Sequence, residues 1–168
     1  MNITAGKYKG QKIIAPDENI TRPTLSKVRM AVFNTLQSLI DFENANFFDM
    51  FAGSGIMGLE ALSRGFKKVT AIEKNNKVFK ILSQNYKKLG ENQNLILGDS
   101  LKLSLEDFFD VVYIDPPYYA GIYEQILYNI PKCNIIIIEH TVNLDFSKYK
   151  ILKQKQYGDK ILSYLKEA

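Results

Sequence analysis

The chain carries one cysteine, Cys133, and one histidine, His140, among 168 residues. That scarcity excludes a disulfide framework and argues against a metal centre built from Cys and His ligands, so no metal is expected. Cys133 precedes the apolar run Ile135–Ile138 and reads as a core thiol; His140 follows the run and reads as structural or solvated. Apolar runs are short throughout. None approaches the roughly 20 residues of a membrane span, and no long apolar stretch opens the N-terminus. A cytoplasmic, monomeric protein with no membrane partner is therefore expected. Repeats and low-complexity segments are also missing.

Excess charge is scarce too, but it is concentrated. The net charge is +4, and all of it falls in the first 30 residues. There Lys7, Lys9, Lys12, Arg22, Lys27 and Arg29 face only Asp17 and Glu18, whereas the remainder holds 16 basic and 16 acidic residues. A basic segment on an otherwise neutral chain points to a polyanion, with a solvated surface as the competing reading. Phosphate contacts are the natural role for those six side chains.

With 46% hydrophobic residues the chain has enough apolar mass for one globular core. It is too short for a catalytic domain joined to a sizeable recognition domain. Residues 1–23 read as a basic hairpin extension, with strands at 2–5 and 11–15 around the Gly6–Gly10 turn, followed by a connector with two prolines. Residues 24–168 read as the main domain. Thr24 or Ser26 can cap a helix whose apolar positions Val28, Val32, Leu36, Leu39 and Ile40 recur at helical spacing. Strands at 46–51, 68–72, 94–97, 110–114 and 134–139 then alternate with helices at 55–63, 75–89 and 119–130. That alternation predicts a doubly wound α/β fold with a mostly parallel sheet. Runs at 149–156 and 160–166, separated by Tyr157-Gly158-Asp159, leave no room for a helix and predict a terminal antiparallel hairpin.

The sharpest motif is Asp115-Pro116-Pro117-Tyr118, directly after the buried strand 110–114. Ligands bind at the carboxyl edge of such sheets. Two prolines stiffen the turn and remove two N–H donors, leaving carbonyls that point outward without a local partner. A carboxylate, a carbonyl and an aromatic face suit a planar ring bearing an exocyclic amine. Upstream, Asp49-Met50-Phe51-Ala52-Gly53-Ser54-Gly55 leads to Gly58, matching G-x-G-x-x-G between a strand and a helix. The glycines permit a tight turn and close approach of a ligand. Glu73 and Lys74 end the second strand, and Asp99 and Ser100 follow the third. Glu73 is placed for two ribose hydroxyls, which keeps a nicotinamide or flavin dinucleotide enzyme open. Against it, Asp49 would be a poor neighbour for a pyrophosphate. Asp49, Glu73, Asp99 and Asp115 favour a cationic, hydroxyl-rich nucleoside such as S-adenosylmethionine, with Asp49 meeting its amino group and Asp99 the adenine amine. Ser54 reads as a loop residue, since no histidine is placed to activate it.

Asp49–Gly55, Glu73, Asp99 and Asp115–Tyr118 resemble the ordered motifs of class I S-adenosylmethionine-dependent methyltransferases, the D-P-P-Y form marking those that act on amino nitrogens. DNA adenine or cytosine and protein glutamine methyltransferases share that core. A likeness running nearly end to end, through residues 3–10, Arg22-Pro23-Thr24, Lys27-Val28-Arg29, Asp49–Gly65 and Tyr157-Gly158-Asp159, is to the bacterial 16S ribosomal RNA guanine-N2 methyltransferases of the RsmD type. Met30, where that family commonly has an acidic residue, and Met50, in place of a usual Leu, depart from it. The resemblance implies a Rossmann-like methyltransferase sheet, S-adenosylmethionine as methyl donor, and a guanine of 16S rRNA in the 30S particle as acceptor. It further implies a catalytic segment Asp115, Pro116, Pro117 and Tyr118.

Overall fold

The structure, a computed structural model, describes residues 1–17 and 25–168. Arg22 and Thr24, singled out above as an RNA contact and a helix cap, lie outside the described residues. Parallel strands β1 (Asn46–Asp49), β2 (Lys68–Glu73), β3 (Asn94–Leu97), β4 (Phe109–Ile114) and β5 (Cys133–His140) are joined by β6 (Tyr149–Tyr157) and β7 (Lys160–Glu167). The spatial order is β3-β2-β1-β4-β5-β7-β6, with β7 antiparallel to both β5 and β6. Helices are α1 (Ser26–Gln37), α2 (Ile56–Ser63), α3 (Asn76–Lys88) and α4 (Ile122–Tyr128). Each predicted strand of the α/β domain is found.

Side chains of adjacent strand residues point to opposite faces, so a sheet covered on both sides needs continuous apolar runs. Phe47, Val111, Ile135 and Ile137 face a core shared with α1, α2 and α3. Their neighbours Phe48, Val112, Ile136 and Ile138 face a second core filled by Ile122 and Ile126 of α4. The run Ile135–Ile138 is therefore divided evenly between two cores. The strand order reverses at β1, which pairs with β2 on one side and β4 on the other. The crevice beyond the carboxyl ends of β1 and β4 is where this topology places a ligand.

At the N-terminus the structure departs from the two predicted strands. A single antiparallel bridge, Asn2 with Lys12, is formed. The N–H groups of Ile3 and Ile13 donate across the hairpin to the Gln11 and Met1 carbonyls at 3.0 and 2.8 Å. Other donors turn away from it: those of Thr4 and Ala5 donate to Glu60 at 3.0 and 3.1 Å, and that of Lys7 to the Ser63 carbonyl at 2.8 Å. Ile3 and Ile13 are buried in the same core as α1–α3. Among the described residues no side chain caps α1, and the Ser26 hydroxyl instead accepts from Arg29.

Arg29 requires a second correction. Expected at phosphate, it is fully buried, with Nε 3.1 Å from Glu60 Oε2 and Nη2 donating to the Asn2 carbonyl at 2.7 Å. Glu60, equally buried, also meets Arg64 Nε at 3.0 Å and accepts the Thr4 hydroxyl. This ion cluster fastens the N-terminal segment to α1 and α2, so Arg29 cannot reach a ligand outside. Glu60→Ala is expected to destabilise the protein by roughly 3–5 kcal/mol, because it strips a buried guanidinium of its carboxylate. Denaturant unfolding should show this as a lower midpoint; a loss under about 1 kcal/mol, the range of exposed pairs, would contradict it.

Candidate active site

The cavity at the crevice has a volume of about 370 Å³. Every residue proposed from sequence for cofactor or catalysis lines it except Gly55, which lies just behind the loop. Gly55 takes φ +83° as the residue capping α2, and a Cβ there would stand 2.4 Å from Leu82 and 2.7 Å from Tyr86. A Cβ on Gly58 would lie 2.2 Å from the Tyr86 hydroxyl. These two glycines serve the tight packing of α3 against α2, whereas Gly53 borders the cavity.

Asp49 ends β1 and is 1% exposed, and neither carboxylate oxygen has a hydrogen-bond partner among the described residues. Burial first, and then the charge of Asp115, push its pKa up to about 8, with Glu73 and Glu139 adding to the effect. The Phe51 backbone N–H opposes this from nearby without reaching hydrogen-bond geometry. An unpaired buried carboxylate is costly unless it is protonated or meets a cation. The site therefore has a place for a positive group.

Glu73 braces the glycine loop. Its Oε2 accepts from Gly53 N–H at 2.9 Å and Oε1 from Asn75 N–H at 2.7 Å. Each carboxylate oxygen keeps a further lone pair for a ligand hydroxyl. Asp99 accepts from Lys74 Nζ at 3.0 Å and from Leu101 N–H at 3.1 Å. Burial tends to raise its pKa, but the Lys74 ammonium and the Leu101 amide outweigh that and hold it below the usual value.

On the other wall, Asp115, Pro116 and Pro117 leave β4, and Tyr118 and Tyr119 stand about half exposed at the mouth. Two participants, Lys160 and Glu139, escaped the sequence reading. Lys160 Nζ lies 2.7 Å from Glu139 Oε2 and 3.5 Å from Asp115 Oδ1. Burial alone would lower the pKa of Lys160, but the carboxylates of Asp115 and Glu139 raise it, so it stays an ammonium. Among the described residues the cavity is thus acidic with two lysines in its lining, the exposed Lys74 and the half-buried Lys160, not uniformly acidic. The available signal was that an antiparallel last strand must begin where the parallel strands end.

Of the basic residues assigned to RNA, Lys7, Lys9, Lys12 and Lys27 are exposed. Lys7 is bonded to Glu91 at 2.9 Å and lies over the Tyr8 ring. None of these lines the cavity. His140 is buried, its ring nitrogens 2.7 Å from the Val142 carbonyl and from the Ser163 hydroxyl, so its role is structural. Cys133, half-buried at the start of β5, has its thiol pushed up to about 12 by burial and is inert.

A family model described as "Conserved hypothetical protein 95" matches residues 1–166. A protein of Haemophilus influenzae named "Ribosomal RNA small subunit methyltransferase D" is 33% identical over 180 residues, covering 98% of this chain and 91% of that one. One of the same name from Buchnera aphidicola is 35% identical over 127 residues, covering 73% of this chain. That match spans 65% of the Buchnera protein's own length. Among solved structures, "Putative methyltransferase yhhF" from Escherichia coli superposes with a TM-score of 0.85 at 26% identity, over 100% of this chain and 98% of that one.

Proposed function

Because the chain belongs to the Conserved hypothetical protein 95 family, we propose that it transfers a methyl group from S-adenosylmethionine to the exocyclic N2 amine of a guanine in small-subunit ribosomal RNA. The observation that carries this reading is the buried Asp49 carboxylate, which has no hydrogen-bond partner among the described residues, on a cavity whose other wall is the D-P-P-Y segment. A carboxylate so placed fits the α-ammonium of the cofactor. Glu73 would take the ribose hydroxyls and Asp99 the adenine amine, with Ser100 beside it. Phe51, Ala52, Gly53, Ser54 and Lys74 form the surrounding wall, shaped from behind by Gly55. When bound, S-adenosylmethionine supplies a methyl carbon made electrophilic by its sulfonium.

The chain's own contribution is to orient the nucleophile. The guanine amine is a weak nucleophile because its lone pair is delocalised into the ring. The Asp115 carboxylate and the Pro116 carbonyl would accept its two N–H bonds and draw the nitrogen toward tetrahedral geometry. As positive charge develops on nitrogen, acceptors already in place stabilise the transition state more than the ground state. Tyr118, half exposed at the mouth, would stack on the base once it has left its own stack. That stacking contributes roughly 1–3 kcal/mol by analogy with single-stranded binders.

Tritiated methyl from S-adenosylmethionine should appear as N2-methylguanine after digestion of labelled 30S particles. Label confined to DNA adenine, or to protein glutamine, would reject the RNA assignment. For the exposed lysines, Lys9→Glu with Lys27→Glu should weaken RNA binding and flatten its salt dependence. The slope of log K against log salt should become shallower by roughly 0.7 for each phosphate that is no longer neutralised, if the strand is single. An unchanged slope would make these lysines a solvated surface only.

A further inference from the structure

Resting on that reading of the site, a further residue can be given a part in it. Lys160 opens β7 immediately after the hairpin turn at Gly158, which takes φ +63°. Because β7 runs antiparallel to β5, with Ile161 opposite His140, its first residue arrives at the edge where β4 and β5 end. There the ammonium meets three groups: Glu139 Oε2 at 2.7 Å, Asp115 Oδ1 at 3.5 Å and the Tyr118 ring centroid at 5.7 Å. Glu139 is 1% exposed and its other oxygen accepts the buried Tyr113 hydroxyl. Neutralising Glu139 would need only the first of these. The other two span the D-P-P-Y segment, from its carboxylate to its aromatic ring.

We propose that Lys160 is a positioning residue, holding the Asp115 carboxylate and the Tyr118 ring in the geometry that receives the target base, with Glu139 and Tyr113 anchoring it from behind. The tether answers a physical need. A carboxylate that must accept a defined N–H is effective only while its lone pairs are aimed, and a misplacement near 1 Å costs about 100-fold in rate. The prolines stiffen the backbone on one side of Asp115 but do not fix its side chain. A half-buried cation from a different strand supplies that constraint, and its cation–π interaction with Tyr118 extends it to the stacking surface.

Lys160→Met alone would leave Glu139 as a buried charge without its ammonium, so lower activity there could reflect misfolding. The informative comparison is Lys160→Met/Glu139→Gln against Glu139→Gln, with Lys160→Arg as the conservative control. The double variant should melt at the temperature of Glu139→Gln and bind S-adenosylhomocysteine equally well. It should lose turnover on 30S RNA by roughly 10- to 100-fold, whereas Lys160→Arg keeps most of it. Hydrogen–deuterium exchange over residues 113–121 should be faster in the double variant than in Glu139→Gln. Equal turnover and equal exchange in those two proteins would overturn the proposal and leave Lys160 as a counter-ion of Glu139. Absence of methyl transfer by the unmodified protein would instead count against the RNA reading, and the exchange comparison decides the role of Lys160 independently of substrate.

Discussion

Asp115→Ala is expected to lower turnover about 10²- to 10³-fold, the range found when one pre-placed stabilising group is removed from a charge-developing transition state. The affinity for S-adenosylhomocysteine should change little. The asymmetry follows from the site's layout: Asp115 stands on the D-P-P-Y wall, whereas the carboxylates assigned to the cofactor come from the ends of β1, β2 and β3. Lys160 keeps its bond to Glu139 when Asp115 is removed, so no buried cation is left without a carboxylate. Single-turnover methyl transfer alongside calorimetry separates the two quantities. A variant with near-normal turnover, or one whose affinity falls as far as its rate, would refute the role of Asp115 as acceptor for the amine.

Asp49→Asn should have an equally large effect, but of opposite kind for stability and for binding. The folded protein holds the Asp49 proton up to about pH 8, because the carboxyl is buried and faces Asp115. The unfolded chain releases it near pH 3.9. Between those values the native state binds the extra proton, so wild-type stability falls as pH rises through the window. The contribution is fully present below about pH 4 and gone above about pH 8. Relative to Asp49→Asn, the wild type should lose roughly 1.4 kcal/mol per pH unit across that interval. Urea unfolding of both proteins from pH 5 to 8 tests this, and parallel profiles would show that Asp49 is ionised in the apo protein.

The same substitution should weaken S-adenosylhomocysteine by about 10- to 100-fold, since a hydrogen bond to a charged group contributes roughly 1.5–3 kcal/mol. Binding of the ammonium favours ionised Asp49, so complex formation near neutral pH should release a proton. Calorimetry in buffers of different ionisation heat would register it for the wild type and not for Asp49→Asn. A destabilising carboxylate kept in the core for its ligand is the kind of exchange of stability for function expected at binding sites.

Much of the architecture was legible locally. The strand–glycine loop–helix sequence around Gly53, the carboxylates at 73 and 99, and the D-P-P-Y segment after β4 are defined by short-range pattern. A parallel α/β sheet then brings successive strand ends to one edge, whichever helices lie between. The terminal hairpin was equally readable from Tyr157-Gly158-Asp159 between two strand-length runs. What failed, failed where a residue's surroundings come from far along the chain. Arg29 looks like a surface cation until Glu60, 31 residues away, is folded against it. The N-terminal segment alternates like a hairpin and closes as one at Ile3, Gly10 and Ile13, but the amides of Thr4, Ala5 and Lys7 are taken by α2, which cuts the ladder short.

Local pattern suffices for the order of elements, for a doubly wound sheet of continuous apolar strands, and for the gathering of four carboxylates at one edge. Those follow from a side-chain period of two, from the chemistry of turns, and from the parallel topology. It takes the folded chain to leave Asp49 buried with no hydrogen-bond partner among the described residues, and to pair Asp99 with Lys74 and Asp115 with Lys160. Burial depends on all the neighbours together, and the antiparallel return of β7 brings Lys160 to Asp115 across 45 residues. No local pattern specifies that encounter, because the energy that makes it is the docking of one strand against another.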